Sequence, residues 1–382
     1  MKPGEASVEI LRIRKKYQSD SVYYVGLVLL PQAESPEVFI WPNGKRLEDR
    51  LFKYHRNTVK FHFYDSISYR HFWKPLEPHL KETKTVYFSC DGVFNKVNFN
   101  SLQNPVSKKH IIDDYTIRLV SNSRELVEKG TPIKNNTATL FGFVDYNLSS
   151  ANTTSSTKRT IASRYGFEGE EIPILPATET EVNILTDELK KKNWKTNLYT
   201  SHQASETNLK AAKNVELIHI ATHGFFMSDV DYLDAPDGEN EEVEKFIRNP
   251  LFRSGILLAG ASAGEEEVGD EDGVLTAYEA MNLALDQTQL VILSACETGL
   301  GEIRNGEGVY GLQRSFIVAG AQAVMMSLWQ VDDVATQELM TEFYRIWLSG
   351  EEKFQAFRKA QLNIKEKYEM PYYWAAFVMI GR

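Results

Sequence analysis

Only two cysteines, Cys90 and Cys296, occur among the 382 residues. So few thiols exclude a disulfide framework as the source of stability, and in an intracellular setting each reads as a free thiol. Also missing is any run approaching the roughly 18 to 20 apolar residues that cross a bilayer, and the opening MKPGEASVEI lacks the apolar centre of a signal peptide. The expectation is a cytoplasmic chain that makes no use of a membrane. Positive charge is scarce too: 43 Lys and Arg stand against 52 Asp and Glu, a net charge of -9. Affinity for nucleic acid comes from clustered Lys and Arg meeting phosphates, so a protein partner is expected and a nucleic acid is not. What is present is ordinary for a folded chain, with 42% hydrophobic and 25% charged residues. The length suits two domains or one enlarged α/β unit.

The chain opens with three strand-like runs, VEILRI, VYYVGLVLL and EVFIW, between residues 7 and 41. Helical spacing of apolar residues follows over 46–60 and 66–81, then strands TVYFSC at 85–90, KVNF at 96–99 and YTIRLVS at 115–121. The polar connector VEKGTPIKNNT places a boundary near residue 130, which divides the chain into a smaller β-rich α/β half, 1–130, and a larger half, 131–382. The larger half begins with the strand TLFGFVDY and a polar loop at 147–160. A helix over Thr178–Lys192 carries a T-x-x-E capping box at Thr178 and Glu181. Continuous apolar strands then alternate with helices: VELIHIATH, GILLAG, QLVILSAC and AVMMSLWQ, followed by helices at 334–349 and 352–367 and a last strand, AAFVMIG. This is the pattern of an α/β fold with a mostly parallel sheet and helices on both faces. Two acidic segments, 229–244 and 265–272, read as solvated loops; neither has the spacing of an EF-hand, and no metal or cofactor is expected.

In open α/β sheets the carboxyl ends of the strands carry the chemistry. His223 follows the run Leu217 to Thr222 and precedes Gly224; Cys296 follows the run Leu290 to Ala295. A thiol nucleophile needs a base to make the thiolate and donors for the oxyanion formed on attack at a carbonyl. His223 supplies the base, and the backbone N–H groups of Gly224 and Cys296 supply an oxyanion hole. The plainer alternative is that Cys296 is buried filler and His223 a satisfied polar residue, and residue types alone leave both open. Cys90 also ends an apolar strand, but no His-Gly strand end precedes it, so it reads as structural.

The runs HIATHGFF, LSACETGLG, GEGVYGLQRSFIVAGAQAVMMSLWQVDDVATQELMTEFY and YYWAAFVMIG together resemble the CHAT-domain family of caspase-like cysteine peptidases, related to separase. The resemblance implies a caspase-like sheet, a His-Cys dyad on His223 and Cys296, and an N-terminal half that is an accessory, pseudo-peptidase companion. The implied activity is cysteine endopeptidase cleavage of a protein substrate, regulated by a helical-repeat sensor or partner; the chain itself shows no such repeats. Caspases place a glutamine two positions before the nucleophile; Ser294 stands there, which argues against acidic specificity. The segment LWQVDD at 328–333 is similar to the part of separase that meets a basic P1 side chain. Asp332, Asp333 and, more weakly, Asp145 are therefore candidates for the P1 pocket, as a carboxylate there pairs with Arg or Lys, and Ser294 is a further pocket candidate by its position before Cys296. Helix capping is the competing role for Asp332 or Asp333. Two other functions stay open: a catalytically silent scaffold, and a thiol hydrolase or transferase acting on a small acyl substrate.

Overall fold

The computed structural model describes residues 1–14, 21–127, 133–148, 171–226, 249–262, 271–294, 302–304, 308–330 and 332–382. The chain divides into two compact units. One comprises Met1–Thr131, Ile303–Val309 and Ser349–Arg382; the other comprises Pro132–Glu302 and Tyr310–Leu348.

In the first unit, β1 (Glu5–Arg14), β2 (Val22–Leu29) and β3 (Glu37–Trp41) form an antiparallel meander. Parallel to β1 run β4 (Thr85–Ser89), then β5 (Thr116–Val120), then the C-terminal strand Phe377–Gly381. Alternation in β2 buries Val22, Tyr24, Gly26 and Val28. Gly26 is required there because the Phe39 ring occupies the place of its Cβ, at 2.2 Å. The core beneath holds Phe72, Trp73, Phe88, Phe94 and Phe99. Two sequence expectations fail in this unit. KVNF is not a strand: Asp91 and Asn98 accept hydrogen bonds from the amides of Gly92 and Asn100 and so open two 3-10 turns, Gly92–Lys96 and Phe99–Ser101. The helix expected over 66–81 shrinks to short turns at Tyr69–Trp73 and Glu77–His79, because Pro75 and Pro78 cannot continue it.

The C-terminal segment joins this unit through specific contacts. The Asn98 amide donates to the carbonyls of Ala375 and Phe377 at 2.6 and 3.2 Å, and the Arg358 guanidinium donates to those of Ile112 and Tyr115 at 2.6 and 3.3 Å.

The second unit is built on a parallel sheet. Its strands are β6 (Thr137–Val144), β7 (Lys195–Ser201) and β8 (Leu217–Ala221). After β8 come the antiparallel strands β9 (Gly224–Phe226), β10 (Ser254–Leu257) and β11 (Val274–Thr276), which form a small separate sheet. The chain then returns to the main sheet in β12 (Leu290–Ser294) and the strand Ala323–Ser327. The order in the main sheet is Ala323–Ser327, β12, β8, β6, β7. Every residue of β8, β12 and Ala323–Ser327 is buried, which is why these strands read as unbroken apolar runs. The expectation of an α/β fold with a mostly parallel sheet is met.

The helices Pro176–Lys191 and Asp333–Trp347 pack against each other, and the first lies on β6, β7 and β8. The capping box expected at Thr178 and Glu181 is absent. Pro176, with its φ preset for a helix, starts the helix two residues earlier, after Leu175. The Thr178 hydroxyl then donates to the Leu175 carbonyl at 2.6 Å and accepts from the Phe143 amide at 2.8 Å. Glu181 is thereby one turn inside the helix and faces inward. Leu140 is fully buried in the central part of this sheet; Leu140→Ala is expected to cost about 2–5 kcal/mol, read as a lower urea midpoint for the second unit's unfolding transition.

Candidate active site

The β8–β12 ladder sets the geometry. Its five rungs run from Leu290 opposite Leu217 to Ser294 opposite Ala221, at a constant offset of 73 residues. His223 and Cys296 are separated by the same 73 positions, each two residues beyond the last rung. Cys296 itself lies outside the described residues.

His223 is half-buried and tightly held. Its Nε2–H donates to the Pro173 carbonyl at 2.8 Å, which leaves the ring's basic lone pair on Nδ1. Pro173 leads into the helix Pro176–Lys191. The His223 backbone N–H donates to the Tyr146 hydroxyl at 3.3 Å, and the two rings lie 5.2 Å apart. Tyr146 in turn donates to the Thr222 hydroxyl at 2.9 Å, and Thr222 donates to the Leu257 carbonyl. The Leu257 N–H returns a bond of 2.9 Å to the His223 carbonyl. Backbone and ring are thus fixed from three segments. Burial lowers the imidazole pKa below its ordinary 6.5, against the smaller upward pull of the Pro173 carbonyl, so the ring is a neutral base at pH 7. Burial likewise pushes the Tyr146 phenol up to about 12.

Gly224 begins β9 at the edge of the three-stranded sheet, opposite Ile256. Antiparallel pairs alternate between bonded and non-bonded kinds, and Leu257 to His223 is bonded. Gly224 and Ile256 are therefore a non-bonded pair, and the Gly224 N–H is directed away from β10.

Ser294 does not open onto a crevice. It is buried, and its hydroxyl donates to Glu181 Oε2 at 3.2 Å. The other Glu181 oxygen meets His219 Nε2 at 3.0 Å, and His219 Nδ1 meets the Tyr344 hydroxyl at 3.0 Å. This fully enclosed network ties β8, β12 and both long helices. Burial and the nearby Glu181 hold the Tyr344 phenol protonated far above its usual range. Sequence reading missed the network, as it missed Pro173, Tyr146 and Thr222. Its one visible sign was a histidine, His219, inside the apolar run LIHIA.

Asp332 is the N-cap of the helix Asp333–Trp347, accepting from the Ala335 amide at 2.9 Å. Asp333, at the first helical position, is largely exposed, and its carboxyl pKa is raised by the burial it does have, then by Asp332 and Glu181. Asp145 is half-buried and accepts from the Asn147 amide at 3.2 Å. The acidic segment 229–244 and most of 265–272 lie outside the described residues. In the other unit, Cys90 packs against the core; burial, with Glu9 and Asp91 adding to it, pushes its thiol far up, so it is a poor source of thiolate. Among the described residues, no cluster of three or more His, Cys, Asp or Glu side chains is placed to hold a metal, and no helix is long and apolar enough to cross a membrane.

The CHAT domain model matches residues 68–382. The chain belongs to the CHAT-domain family. It is 27% identical over 192 residues to human tetratricopeptide repeat protein 28, and 26% identical over the same length to the mouse protein. Each match takes in 48% of this chain and 8% of the relative, so this CHAT chain spans only a small part of the length of those proteins. Among solved structures, it is similar to the Porphyromonas gingivalis RgpB pro- and mature domain complex, at 12% identity and a TM-score of 0.45, over 86% of this chain and 76% of that one. It is also similar to the Saccharomyces cerevisiae separase–securin complex, at 12% identity and a TM-score of 0.44, over 92% of this chain and 19% of that one.

A lowered pKa for His223 has a direct readout: its ring resonances should titrate with a midpoint below 6.5 in an NMR pH series, and a midpoint at or above 6.5 would remove the neutral-base assignment. Its folded pKa lies below the unfolded one, so the associated stability is complete above pH 6.5 and is lost as pH falls toward the folded value. Tyr146→Phe, which leaves buried groups around His223 and Thr222 short of a partner, should cost about 1–3 kcal/mol by thermal unfolding.

Proposed function

We propose that this CHAT-family chain is a cysteine endopeptidase in which His223 is the general base and Cys296 the nucleophile. The observation that carries the reading is the shared offset: strands β8 and β12 are paired at 73 residues, and the same 73 positions separate His223 and Cys296 in sequence. Neighbouring parallel strands lie about 5 Å apart, so the equal offset supports a pairing of His223 with Cys296 at the sheet's carboxyl edge. His223 Nδ1 takes the thiol proton, and the sulfur attacks the substrate carbonyl. The Gly224 and Cys296 N–H groups receive the oxyanion. When the tetrahedral species collapses, the proton on Nδ1 passes to the leaving amine; a water then hydrolyses the thioester through the same base. In this reading residues 1–130 are the accessory half and 131–382 the half that bears the dyad, with Ser349–Arg382 of the latter folded into the first unit. The regulatory partner fits a helical-repeat protein, since the curated relatives are named for tetratricopeptide repeats and are far longer than this chain.

A peptide-based electrophile tests the dyad. Cys296 should be labelled, and His223→Ala should slow labelling by roughly 100-fold or more, the usual weight of a positioned base. Wild-type chain that stays unlabelled with and without its helical-repeat partner would favour the silent scaffold instead. Turnover of small thioesters or acyl amides with no peptide cleavage would favour the acyl hydrolase or transferase.

For the pocket, Asp332, Asp333 and Asp145 supply negative charge suited to a basic P1 residue. Asp332→Asn keeps a good helix cap while removing the charge, so it separates the two roles of this residue. If Asp332 or Asp333 reads the substrate, the Asn variants should lose cleavage after Arg and Lys by tenfold or more with little change in melting temperature. Unchanged P1 preference in the double variant would end the proposal.

A further inference from the structure

A second polar group of the protein is built into an apolar hollow, far in sequence from the dyad. In the first unit, a cavity of about 170 Å³ has apolar and aromatic walls from Val59, Phe63, Tyr64, Met370 and Tyr372, and a polar side that includes His55 with further histidine, hydroxyl, amide and carboxylate groups. His55 is only 3% exposed. Its Nδ1 lies 3.1 Å from Asp65 Oδ2, while its buried Nε2 has no hydrogen-bond partner among the described residues.

The Asp65 side sets the tautomer. Burial alone pushes the Asp65 carboxyl up, but the hydrogen bond and the charge interaction with His55, followed by hydrogen bonds from Ser68, outweigh it and hold the pKa down to about 2. Its other oxygen accepts from the amides of Ile67 and Ser68 at 3.0 and 2.9 Å, which locks it in place. A fixed carboxylate facing Nδ1 keeps a proton on that nitrogen, so in the neutral tautomer the acceptor lone pair is at Nε2. A buried acceptor without a donor costs about 1–3 kcal/mol, and a ligand that donates to it recovers that cost.

Size and wall chemistry narrow the ligand. An apolar cavity of about 150 Å³ holds a benzene ring, and this one is slightly larger, with aromatic and thioether walls suited to a ring. At the mouth, Phe63, Tyr64 and Met370 are exposed, at 66%, 46% and 37%. Exposed aromatic groups around an apolar hollow mark a surface that receives a protein segment.

We propose that this cavity is a binding site for a single phenolic ring, a tyrosine side chain of a partner protein, whose hydroxyl donates to His55 Nε2. The probes are p-cresol, N-acetyl-tyrosinamide and toluene, added to the full chain labelled with ¹⁵N-histidine and followed by NMR. p-Cresol and N-acetyl-tyrosinamide should shift the His55 ring signals saturably. Toluene, with the ring but no donor, should bind roughly fivefold to tenfold more weakly, as fits the loss of one hydrogen bond. Tyr372→Ala, which removes one wall and leaves His55 and Asp65 in place, should weaken p-cresol binding by a similar factor. Binding of p-cresol but not of N-acetyl-tyrosinamide would overturn the tyrosine assignment in favour of a free phenol. Equal affinity for toluene and p-cresol would remove His55 from recognition. No saturable shift up to the solubility of p-cresol would mean that Nε2 is satisfied by a buried water only, and the site would be withdrawn.

Discussion

The constraint on which the candidate active site depends is the register of two adjacent parallel strands. A slip of one residue between β8 and β12 would turn every following side chain to the other face of the sheet. The ladder resists that slip because all ten of its residues are buried and because its interior holds a polar lock. His219 on β8 and Ser294 on β12 share the carboxylate of Glu181, and His219 also meets Tyr344. An apolar ladder can be shifted at modest cost if the residues are alike. A ladder that must keep a histidine and a serine on one carboxylate cannot, because any shift strands buried polar groups without partners. Glu181 therefore acts at a distance on His223: it fixes the rows from which the loop residues depart.

That arrangement explains what was legible in the sequence and what was not. The strands β8, β12 and Ala323–Ser327 were readable because each is buried on both faces and so is apolar at nearly every position. The position of His223 at a strand end was readable for the same reason. The T-x-x-E pattern at a helix start suggests Glu181 as the partner in a capping box because it is a local pattern, whereas the hydrogen-bond partners of Glu181, His219 and Ser294, come from strands 38 and 113 residues away in sequence. Ser294 was placed near the substrate by its count from Cys296, yet alternation along β12 turns it toward Glu181. KVNF failed for a local reason that a closer reading of Asp91 and Asn98 would have found, since both types favour turns over strands when they cap a following amide. The return of Ser349–Arg382 to the first unit was beyond reach of sequence pattern, because it rests on Asn98 and Arg358 reaching backbone carbonyls rather than on any periodicity.

Among the described residues, the group that orients the His223 ring is the Pro173 backbone carbonyl. A carboxylate on Nε2 would stabilise the imidazolium and raise the pKa; the Pro173 carbonyl orients the ring with a much weaker upward pull, and burial wins. This difference bears on the chemistry proposed for the pair. A histidine with a lowered pKa does not favour a standing thiolate–imidazolium ion pair. It favours a neutral thiol and a neutral base, with the proton moving as the sulfur attacks.

Negative charge in the same unit would act in the same direction on the proposed pair. Glu181, Asp332 and Asp333 lie in the same unit, and Asp333 already has its carboxyl pushed toward protonation by the other two as well as by burial. A negative field opposes a resting thiolate and attracts a cationic side chain. If a basic P1 residue enters such a site, it offsets the field that disfavours the thiolate, so substrate binding and nucleophile activation become one event. A peptidase built in this way would be quiet toward general thiol reagents and responsive to a peptide of the right charge, and the same electrostatics that select the substrate would hold the enzyme inactive in its absence.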